Sequence, residues 1–459
     1  MPDYYSEPFL HLAGLTHKSA LIAWGAFYFR VRNNETDFKL VDDDDLKKVH
    51  PPRHQTVGAR SEPYGKAIVE VMNSAGDVVA TAFTETTNHC WVTGLAADTE
   101  YTYRVIVNEE EWAGGDRRNW ERQGSKMGLG PKRRPYRNRF RTHPDPTAVS
   151  NASFSFAVIG DFGVGIKSEK DREQRQIAEA LEKAVEQHNV RLVLTTGDNI
   201  YRNGDEDDDW YFTYYQPYRY LINRVPVYPT IGNHDAGETE SRDDRDQLVD
   251  NFYIDERIAG EEAAGRASVD PGLFYRFRYN ANVEFICIDS SKEPEVFPRR
   301  LFDHPKHLEF FKKALPVPAE ASPHWRIPFC HHPPFSAGPE HGNTDGMEDL
   351  IERFESAGVR VVFSGHQHHL QLNRVKGIDY LISGAAGKVS TGKPKASKFA
   401  KAGTVFWSPT CHFLLVTVEG KQMTVRAIGQ LNGAGELVDI PRKTPTGKLV
   451  SEPMVINIP

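Results

Sequence analysis

Features that would assign this chain to a narrow class of proteins are scarce in its sequence. Only four cysteines occur in 459 residues, and no two form a CxxC pair, which argues against a disulfide framework and a cysteine-built zinc site. No apolar stretch approaches the length that crosses a bilayer, so we expect no membrane association. The 56 basic and 63 acidic side chains give a net charge of −7, which argues against nucleic acid as a partner.

A signal peptide is also missing from the first residues. The segment MPDYYSEPFLHLAG has neither a basic start nor an apolar core. A cytoplasmic location is therefore favoured, and a secreted or periplasmic one applies if the chain is a mature form. Cys287 and Cys330 lie in apolar runs and are expected to be buried thiols, which fits a reducing compartment.

Residues 1–146 are predicted to form a β-sandwich. The segments LIAWGAFYFRV, KAIVEVMNS and TEYTYRVIV are rich in β-branched and aromatic residues in partial alternation. LAADTEYTYRVIV resembles the corner of a fibronectin type III domain, where a tyrosine hydroxyl bonds back to the backbone, and NRFRTHP resembles its last strand. A basic insertion at about 109–135 is interpreted as a solvated loop or, alternatively, as an electropositive flap that guides phosphate substrates.

Residues 150–459 show a different pattern, in which apolar runs alternate with helical segments. Ile177, Leu181 and Val185 lie on one face of a predicted helix. The apolar runs include FSFAVIGD, VRLVLTTGD, VEFICID, WRIPFCH, VRVVFSGH and DYLISGAAG. This alternation predicts an α/β domain whose sheets are covered on both faces. HFLLVTVEG and QMTVRAIG predict a hairpin that closes the second sheet.

Five short segments end apolar runs with side chains that can bind metal ions. They are GDFG with Asp161, GDNIY with Asp198 and Tyr201, GNHD with Asn233 and His234, HHPP with His331 and His332, and GHQHH with His366 and His368. Ligand sites in α/β folds lie beyond the carboxyl ends of strands, so these segments should meet. One such motif is weak, but five together predict a site for two metal ions, a device for in-line attack on phosphorus.

The set of motifs resembles the calcineurin-like metallophosphoesterases, whose fold is a two-sheet α/β/β/α sandwich. Two details resemble purple acid phosphatase within that superfamily: Gly163 stands two positions after Asp161, and Tyr201 three positions after Asp198. In that family a tyrosinate binds ferric iron. The resemblance covers residues 153–429, and a β-sandwich also precedes the catalytic domain in the larger members.

The resemblance implies a role for each residue of the motifs. The side chains that would bind Fe(III) are Asp161, Tyr201 and His368. Those that would bind a divalent ion (Fe, Zn or Mn) are Asn233, His331 and His366. Asp198 would bridge the two ions. His331 is preferred to His332 because the family pattern is His-x-Pro. His332 is left as a residue that supports the site or the fold.

Two further histidines would act on the substrate. His234 would contact the phosphate and assist the leaving group. The segment PFSAGPEHG resembles the loop that supplies another substrate-binding histidine, which suggests His341 with Glu340 behind it.

The resemblance implies an acid phosphatase-like enzyme that hydrolyses small-molecule phosphate monoesters by in-line attack of a metal-bound hydroxide. One alternative is a phosphodiesterase or nucleotidase on the same scaffold, since specificity lies in loops. Another is an enzyme that holds only Zn or Mn. A more remote one is a non-catalytic binding protein that uses its β-sandwich.

Overall fold

The computed structural model describes most of the chain, namely residues 4–32, 37–41, 43–48, 57–113, 134–150, 152–166, 172–201, 210–236, 242–263, 267–269, 273–291, 305–317, 319, 323–344 and 346–458. The larger part of the predicted basic insertion, 114–133, lies outside these residues. The strands within the described residues form four sheets, two in the N-terminal part and two in the remainder.

The N-terminal part is rich in strands that form two antiparallel sheets. In chain order its elements are β1 (Tyr4–Leu15), β2 (Ser19–Arg32), β3 (Asp37–Leu40), α1 (Asp43–Lys47), β4 (Ala67–Met72), β5 (Val78–Thr84), β6 (His89–Thr93), β7 (Glu100–Val107), β8 (Glu110–Glu111) and β9 (Arg139–Arg141). One sheet has the order β1-β2-β3, with β6 also paired to β2, and the other has the order β5-β4-β7-β8, with β9 also paired to β7. The predicted β structure is confirmed, and β1 adds a strand that was not predicted.

Strands and helices alternate from residue 152 onward. In chain order the elements are β10 (Phe154–Ile159), α2 (Arg172–Gln187), β11 (Val190–Thr195), a π-helix (Tyr211–Tyr215), α3 (Arg219–Ile222), β12 (Val227–Tyr228), α4 (Arg242–Asn251), α5 (Ile254–Ala263), β13 (Ala267–Val269), β14 (Tyr275–Asn280), β15 (Val283–Cys287), α6 (Pro305–Ala314), β16 (Trp325–Phe329), α7 (Glu348–Ser356), β17 (Val361–Ser364), β18 (Leu370–Val375), β19 (Ile378–Ser383), a 3-10 turn (Ala396–Lys398), α8 (Phe399–Ala402), β20 (Thr404–Ser408), β21 (Phe413–Glu419), β22 (Gln422–Leu431), β23 (Leu437–Asp439), β24 (Arg442–Lys443), β25 (Leu449–Val450) and β26 (Met454–Asn457).

Both sheets of this part combine parallel with antiparallel strands. The first has the order β12-β11-β10-β21-β22-β23, with β26 on β22, and its strands β10, β11 and β12 are parallel. The second has the order β13-β14-β15-β16-β17-β19-β18-β20-β24-β25, in which β15, β16, β17 and β19 are parallel. The carboxyl ends of the parallel strands therefore meet at one edge of each sheet.

The two sheets pack face to face, and helices cover their outer faces. Phe156 and Leu192 of the first sheet share a buried cluster with Phe285 and Phe329 of the second. Helix α2 and the π-helix pack on the outside of the first sheet. Helices α6 and α7 pack on the outside of the second. This layering agrees with the mixed α/β fold that the sequence predicts.

The N-terminal sheet that contains β1 and β2 is buried on both faces. One face packs on the second N-terminal sheet, in a cluster that contains Trp24 and Val69. The other packs on the π-helix, where the ring centroids of Phe9 and Tyr215 are 4.4 Å apart. A buried ion pair between Glu7 and Arg219 joins the same surfaces. The N-terminal part is thus packed tightly on the part in which strands and helices alternate.

The cysteines agree with the expectation from the sequence. Cys287 and Cys330 are buried, and all four cysteines are free thiols. Burial raises the pKa of the Cys330 thiol to about 12, so it stays protonated at neutral pH. Among the described residues, no helix has both the length and the apolar content needed to cross a bilayer.

Candidate metal centre

The five polar segments converge where the parallel strands of the two sheets end. Asp161 follows β10, Asp198 follows β11 and Asn233 follows β12, all in the first sheet. His331 and His366 follow β16 and β17 in the second sheet. The candidate ligands therefore come from both sheets, as expected for residues at the carboxyl ends of parallel strands.

Three candidate ligands have a left-handed backbone. The φ angle is 53° at Asp161, 49° at Asp198 and 66° at His366. This conformation is uncommon outside glycine and costs about 1–3 kcal/mol for each residue unless the surroundings enforce it. The strain falls on the residues that carry the candidate ligands, which is common at functional sites.

Gly163 leaves room for the neighbouring loop that carries Tyr201. A Cβ atom at Gly163 would lie only 2.3 Å from backbone atoms of Ile200. The loops are joined there, because the Tyr201 N–H donates to the Gly163 carbonyl at 2.8 Å. A side chain at position 163 is therefore excluded by this backbone, and Tyr201 on the adjoining loop reaches the centre instead.

Four residues, Asp161, Asp198, Tyr201 and His368, form what we call the carboxylate half of the centre. The Tyr201 hydroxyl is 3.3 Å from Asp161 Oδ1 and 3.1 Å from His368 Nε2. His368 Nε2 is 3.4 Å from Asp161 Oδ1. One ligand atom each from Asp161, Asp198 and His368 lies within 4.8 Å of the other two. These oxygens and this nitrogen are close enough to share one ion.

Asn233, His331 and His366 form the imidazole half. Asn233 Oδ1 is 3.0 Å from both His331 Nε2 and His366 Nδ1. The two ring nitrogens are 3.1 Å from each other. His332 lies beside them, with one ring nitrogen within 4.8 Å of those of His331 and His366. This half offers neutral nitrogen and amide oxygen donors.

Asp198 lies between the two halves. Its Oδ1 atom is 3.5 Å from His331 Nε2 of the imidazole half, and its carboxylate also groups with Asp161 and His368. The His234 N–H donates to the same oxygen at 3.0 Å. The Asp198 carboxylate is therefore close to side chains of both halves, and its role as a bridge between two ions stays a prediction.

The electrostatics of the carboxylate half favour a bound cation. Burial raises the pKa of Asp161, and burial together with Asp161 and Asp235 raises that of Asp198 further. Burial and the nearby carboxylates also raise the pKa of Tyr201. Burial lowers the pKa of His368, but its contacts with Asp161 and Glu340 outweigh this effect and leave it raised. Buried carboxylates this close need a positive charge to stay ionised together.

The imidazole half behaves in the opposite way. Burial lowers the pKa of His331 and His366, and the neighbouring histidines lower both further. Both rings are therefore neutral at ordinary pH, which is the state in which imidazole binds metals. The residues of both halves thus fit a pair of metal ions in donor type and in protonation.

Backbone and side-chain partners fix which nitrogen each ring presents. His331 Nδ1 donates to the Thr196 carbonyl at 2.8 Å, so Nε2 faces the centre as an acceptor. His368 Nδ1 contacts Glu340 Oε2 at 3.1 Å, which likewise leaves Nε2 for a metal. The sequence placed Glu340 behind His341, but its carboxylate contacts His368, a ligand candidate.

Ser290 is a residue of the site that the sequence analysis missed. It follows β15, and its hydroxyl lies 3.1 Å from His332 Nδ1 while accepting the His332 N–H at 3.0 Å. Both residues are buried, and the ring centroids of His332 and His366 are 4.5 Å apart. Ser290 thus orients His332 beside the imidazole half. The sequence signal that could have identified Ser290 was the polar end of the apolar run VEFICIDSS.

The two predicted substrate-side histidines lie at opposite sides of the centre. The ring of His234 is 4.6 Å from that of Tyr201, between centroids, in the carboxylate half. The ring of His341 is 3.9 Å from that of His366 in the imidazole half. Both side chains are half-buried, so they are accessible from solvent.

Comparisons with known proteins agree with this geometry. A family model described as calcineurin-like phosphoesterase matches residues 154–370. Purple acid phosphatase 4 of Arabidopsis thaliana is 30% identical over 280 residues, which cover 56% of this chain and 77% of that protein. This chain belongs to the purple acid phosphatase family. Purple acid phosphatase 17 of the same plant is 28% identical over 284 residues, covering 57% of this chain and 78% of that protein.

Solved structures share the fold over nearly the whole chain. The structure of PhoD has a TM-score of 0.61 at 14% identity, covering 98% of this chain and 93% of that one. Purple acid phosphatase PPD1 from yellow lupin (Lupinus luteus) seeds has a TM-score of 0.57 at 13% identity, covering 96% and 74%. At these identities the likeness concerns the fold alone. It confirms a mixed α/β metallophosphoesterase fold with an N-terminal strand-rich region.

Membership of the family confirms the prediction of an enzyme. Purple acid phosphatases are metallophosphoesterase hydrolases, and the family implies a dinuclear metal centre.

Proposed function

We propose that this protein is a phosphatase that hydrolyses phosphate monoesters of small molecules at a dinuclear metal centre. The observation that carries the proposal is the pair of adjoining donor groups, which meet at Asp198. Its relatives named purple acid phosphatase support the same reaction class.

We propose Fe(III) for the carboxylate half and divalent Fe, Zn or Mn for the imidazole half. Carboxylate and phenolate oxygens suit a hard trivalent ion, and imidazoles suit a divalent one. Asp161, Tyr201 and His368 would hold the first, Asn233, His331 and His366 the second, and Asp198 both. Metal ions held there would supply Lewis-acid polarisation of the phosphate and of a water molecule placed for in-line attack.

The protein itself contributes positioning and proton transfer. A phosphate that lies across both halves would have His234 on one side and His341 on the other. His234 would then donate a hydrogen bond to a phosphate oxygen and a proton to the leaving group, and His341 would hold a second oxygen. Glu340 would fix the orientation of the His368 ring.

A monoester is preferred to a diester because of charge. A monoester dianion has more terminal oxygens to share between two ions and two histidines than a diester monoanion has. The test compares kcat/KM for para-nitrophenyl phosphate and its bis-ester, with common nucleotides alongside. Faster hydrolysis of the monoester is expected. A clear preference for the bis-ester would overturn the assignment in favour of a phosphodiesterase.

We also propose that residues 1–146 are a fibronectin type III-like sandwich and 150–459 the catalytic domain. The hydroxyl of Tyr101 accepts the Ala96 N–H at 2.9 Å, which supports the predicted tyrosine corner. Tyr101→Phe should therefore lower the free energy of unfolding by about 1–2 kcal/mol, measured by denaturant titration. An unchanged stability would count against this corner. A cytoplasmic location stays a prediction, which the four free thiols fit.

A further inference from the structure

One buried glutamine of the candidate centre has no part in the proposed function. Gln367 stands between His366 and His368 in the motif GHQHH, and its side chain is fully buried. An amide group carries two N–H donors and an acceptor oxygen, so its burial costs free energy unless it finds a partner. The partner of Gln367 lies on another segment of the chain, the one that carries His341.

The Gln367 side chain holds the main chain of His341. Its Oε1 atom accepts the His341 N–H at 2.9 Å. The two residues are 26 positions apart, and the bond joins the segment after β17 to the segment after β16. Because a backbone N–H donates and does not accept, the amide oxygen of Gln367 must face His341, which fixes the orientation of the amide group.

Gly338 provides the space for this contact. A Cβ atom added to Gly338 would lie 2.0 Å from Gln367 Oε1 and 2.1 Å from Gln367 Cδ, far below contact distance. The φ angle of Gly338 is outside the left-handed region, so its backbone conformation does not require glycine. The close approach of the amide group is therefore the reason that a side chain is excluded at this position.

The loop that carries His341 is also held by bonds of its own. Ser336 Oγ donates to the His341 carbonyl at 3.2 Å and accepts the Gly338 N–H at 3.0 Å. The Ser336 N–H donates to Asn343 Oδ1 at 2.9 Å. These three bonds close the loop on itself. The bond to Gln367 connects the loop to the backbone between two candidate ligands.

The place of the His341 ring depends on the place of its main chain. The ring lies against that of His366, with the centroids 3.9 Å apart and the planes tilted by 34°. In the proposed function the His341 ring would hold a phosphate oxygen. A shift of about 1 Å in a group that contacts the substrate can lower the rate by as much as about a hundredfold. A contact that fixes the His341 main chain would therefore matter for turnover.

We propose that Gln367 is a positioning residue, which holds the main chain of His341 so that the His341 ring can bind the phosphate. This inference rests on the proposed phosphatase function. Gln367 would touch neither a metal ion nor the substrate. Its effect on turnover would therefore pass through His341, and it should vanish when the His341 ring is removed.

The test is a double-mutant cycle on the metal-loaded enzyme. We would measure kcat/KM for para-nitrophenyl phosphate in wild type, Gln367→Met, His341→Ala and the double variant. Methionine keeps the length of the side chain but removes the acceptor, and kcat/KM should fall about tenfold, as expected when a hydrogen bond to a charged group is lost. In the His341→Ala background the same substitution should change kcat/KM by less than about twofold, because the two residues would act as one unit.

Gly338→Ala tests the same contact from the other side and leaves the motif GHQHH intact. The added methyl group should displace the Gln367 amide, so the loss should again be about tenfold with His341 present and less than about twofold without it. Gln174→Met is the matched control, because Gln174 is a buried glutamine on α2 that accepts the Gly165 N–H at 2.9 Å. Any loss in the control should be equal in both backgrounds.

Amide hydrogen exchange supplies a readout that does not depend on turnover. The His341 amide should be protected in wild type, and Gln367→Met and Gly338→Ala should each speed its exchange by about tenfold or more. The control Gln174→Met should not. The measurement uses mass spectrometry of overlapping peptides from residues 336–344, in both metal-free and metal-loaded protein.

Two results would overturn the inference. Equal losses of kcat/KM with and without the His341 ring would mean that Gln367 acts on the ligands or on the fold. Unchanged exchange of the His341 amide would mean that the contact does not hold the loop. Metal content is measured in every variant, and if Gln367→Met loses metal, the cycle with Gly338→Ala decides. Wild type that hydrolyses no phosphate ester would instead contradict the proposed function, and the exchange data would still decide whether Gln367 holds the loop.

Discussion

The two halves of the candidate centre touch each other, yet their side chains respond to burial in opposite directions. In the carboxylate half, burial raises the pKa of Asp161 and Asp198, and the closeness of the two carboxylates raises that of Asp198 further. In the imidazole half, burial lowers the pKa of His331 and His366, so that the rings stay neutral. The carboxylate half therefore needs a strong positive charge to stay ionised. The imidazole half supplies neutral nitrogen donors and needs no such charge. A trivalent ion suits the first and a divalent ion the second.

The largest effect is expected when Asp198, the residue close to both halves, is changed. Asp198→Asn should lose both ions and lower kcat/KM by about a thousandfold or more, because the proposed bridge would serve both. Asparagine tolerates the φ of 49° at this position, so backbone strain is not added. Metal content by elemental analysis and kinetics with para-nitrophenyl phosphate provide the check.

Asp379→Asn is the matched control for the bridge. Asp379 is also a buried carboxylate on a strand of the second sheet, but it pairs with Arg374. This variant should keep both ions. An Asp198→Asn protein that retains two ions per chain would show that the halves do not share this residue.

Tyr201→Phe should affect the carboxylate half alone. In the proposed function the Tyr201 phenolate would bind Fe(III) and give a charge-transfer band, so the visible band should disappear while the divalent ion stays. We expect activity to fall by about tenfold to a hundredfold, since one ligand of the ferric ion is lost. Absorption spectroscopy after reconstitution measures this. Tyr275→Phe removes another buried hydroxyl, one that donates to the Pro229 carbonyl, and should keep the colour. Colourless, fully active wild type would refute the assignment.

Substitutions of residues that contact the candidate ligands test how much each half depends on its neighbours. Glu340→Gln should lower metal affinity or kcat about tenfold, because the residue orients His368 and adds charge to its ring. Ser290→Ala should have a smaller effect, about twofold to fivefold, because His332 is outside the set of seven ligands. Titration of the metal-free protein with each metal measures the metal affinity of both variants. Glu355→Gln removes an exposed pair with Lys376 and is the control. A larger loss for Ser290→Ala would make His332 a ligand.

The metal-free protein should lose stability as the pH rises. A carboxylate whose folded pKa is raised stabilises the fold at low pH, and this contribution is lost as the pH passes the folded pKa. Burial raises the pKa of Asp235 to about 7, and the pKa values of Asp161 and Asp198 move in the same direction. Removal of the metals should therefore lower Tm by a few degrees more at pH 8 than at pH 5 (roughly 2–4 °C for each kcal/mol in a large domain). Calorimetry of chelated and loaded protein measures the difference; an equal decrease at both pH values would contradict it.

The convergence of the candidate ligands could be predicted because each lies within a few residues of a strand end. Local sequence is enough for that: an apolar run such as FSFAVI, then glycine, then Asp161. The partners that orient the ligands were not predictable in the same way. Ser290 and His332 are 42 positions apart, and they meet only because β15 and β16 pair in parallel. The same holds for the segment with Lys388 and Ser390, whose place at the centre depends on backbone contacts with Asp161 and His368.

The pairing of distant strands likewise could not be predicted from the sequence. The C-terminal hairpin of β21 and β22 forms as predicted, but β21 pairs with β10, the strand that carries Asp161. Every residue of β10 is buried, so no alternation of polar and apolar residues specifies its neighbours. β12 is only two residues long because prolines 226 and 229 flank it and lack the N–H that a ladder requires.

The most direct test of the account is the metal content and visible spectrum of protein purified without added metal. Two ions per chain, one of them iron, with a charge-transfer band that Tyr201→Phe abolishes, would support both the dinuclear centre and the difference between its halves. An active protein with at most one metal ion per chain would contradict the central claim.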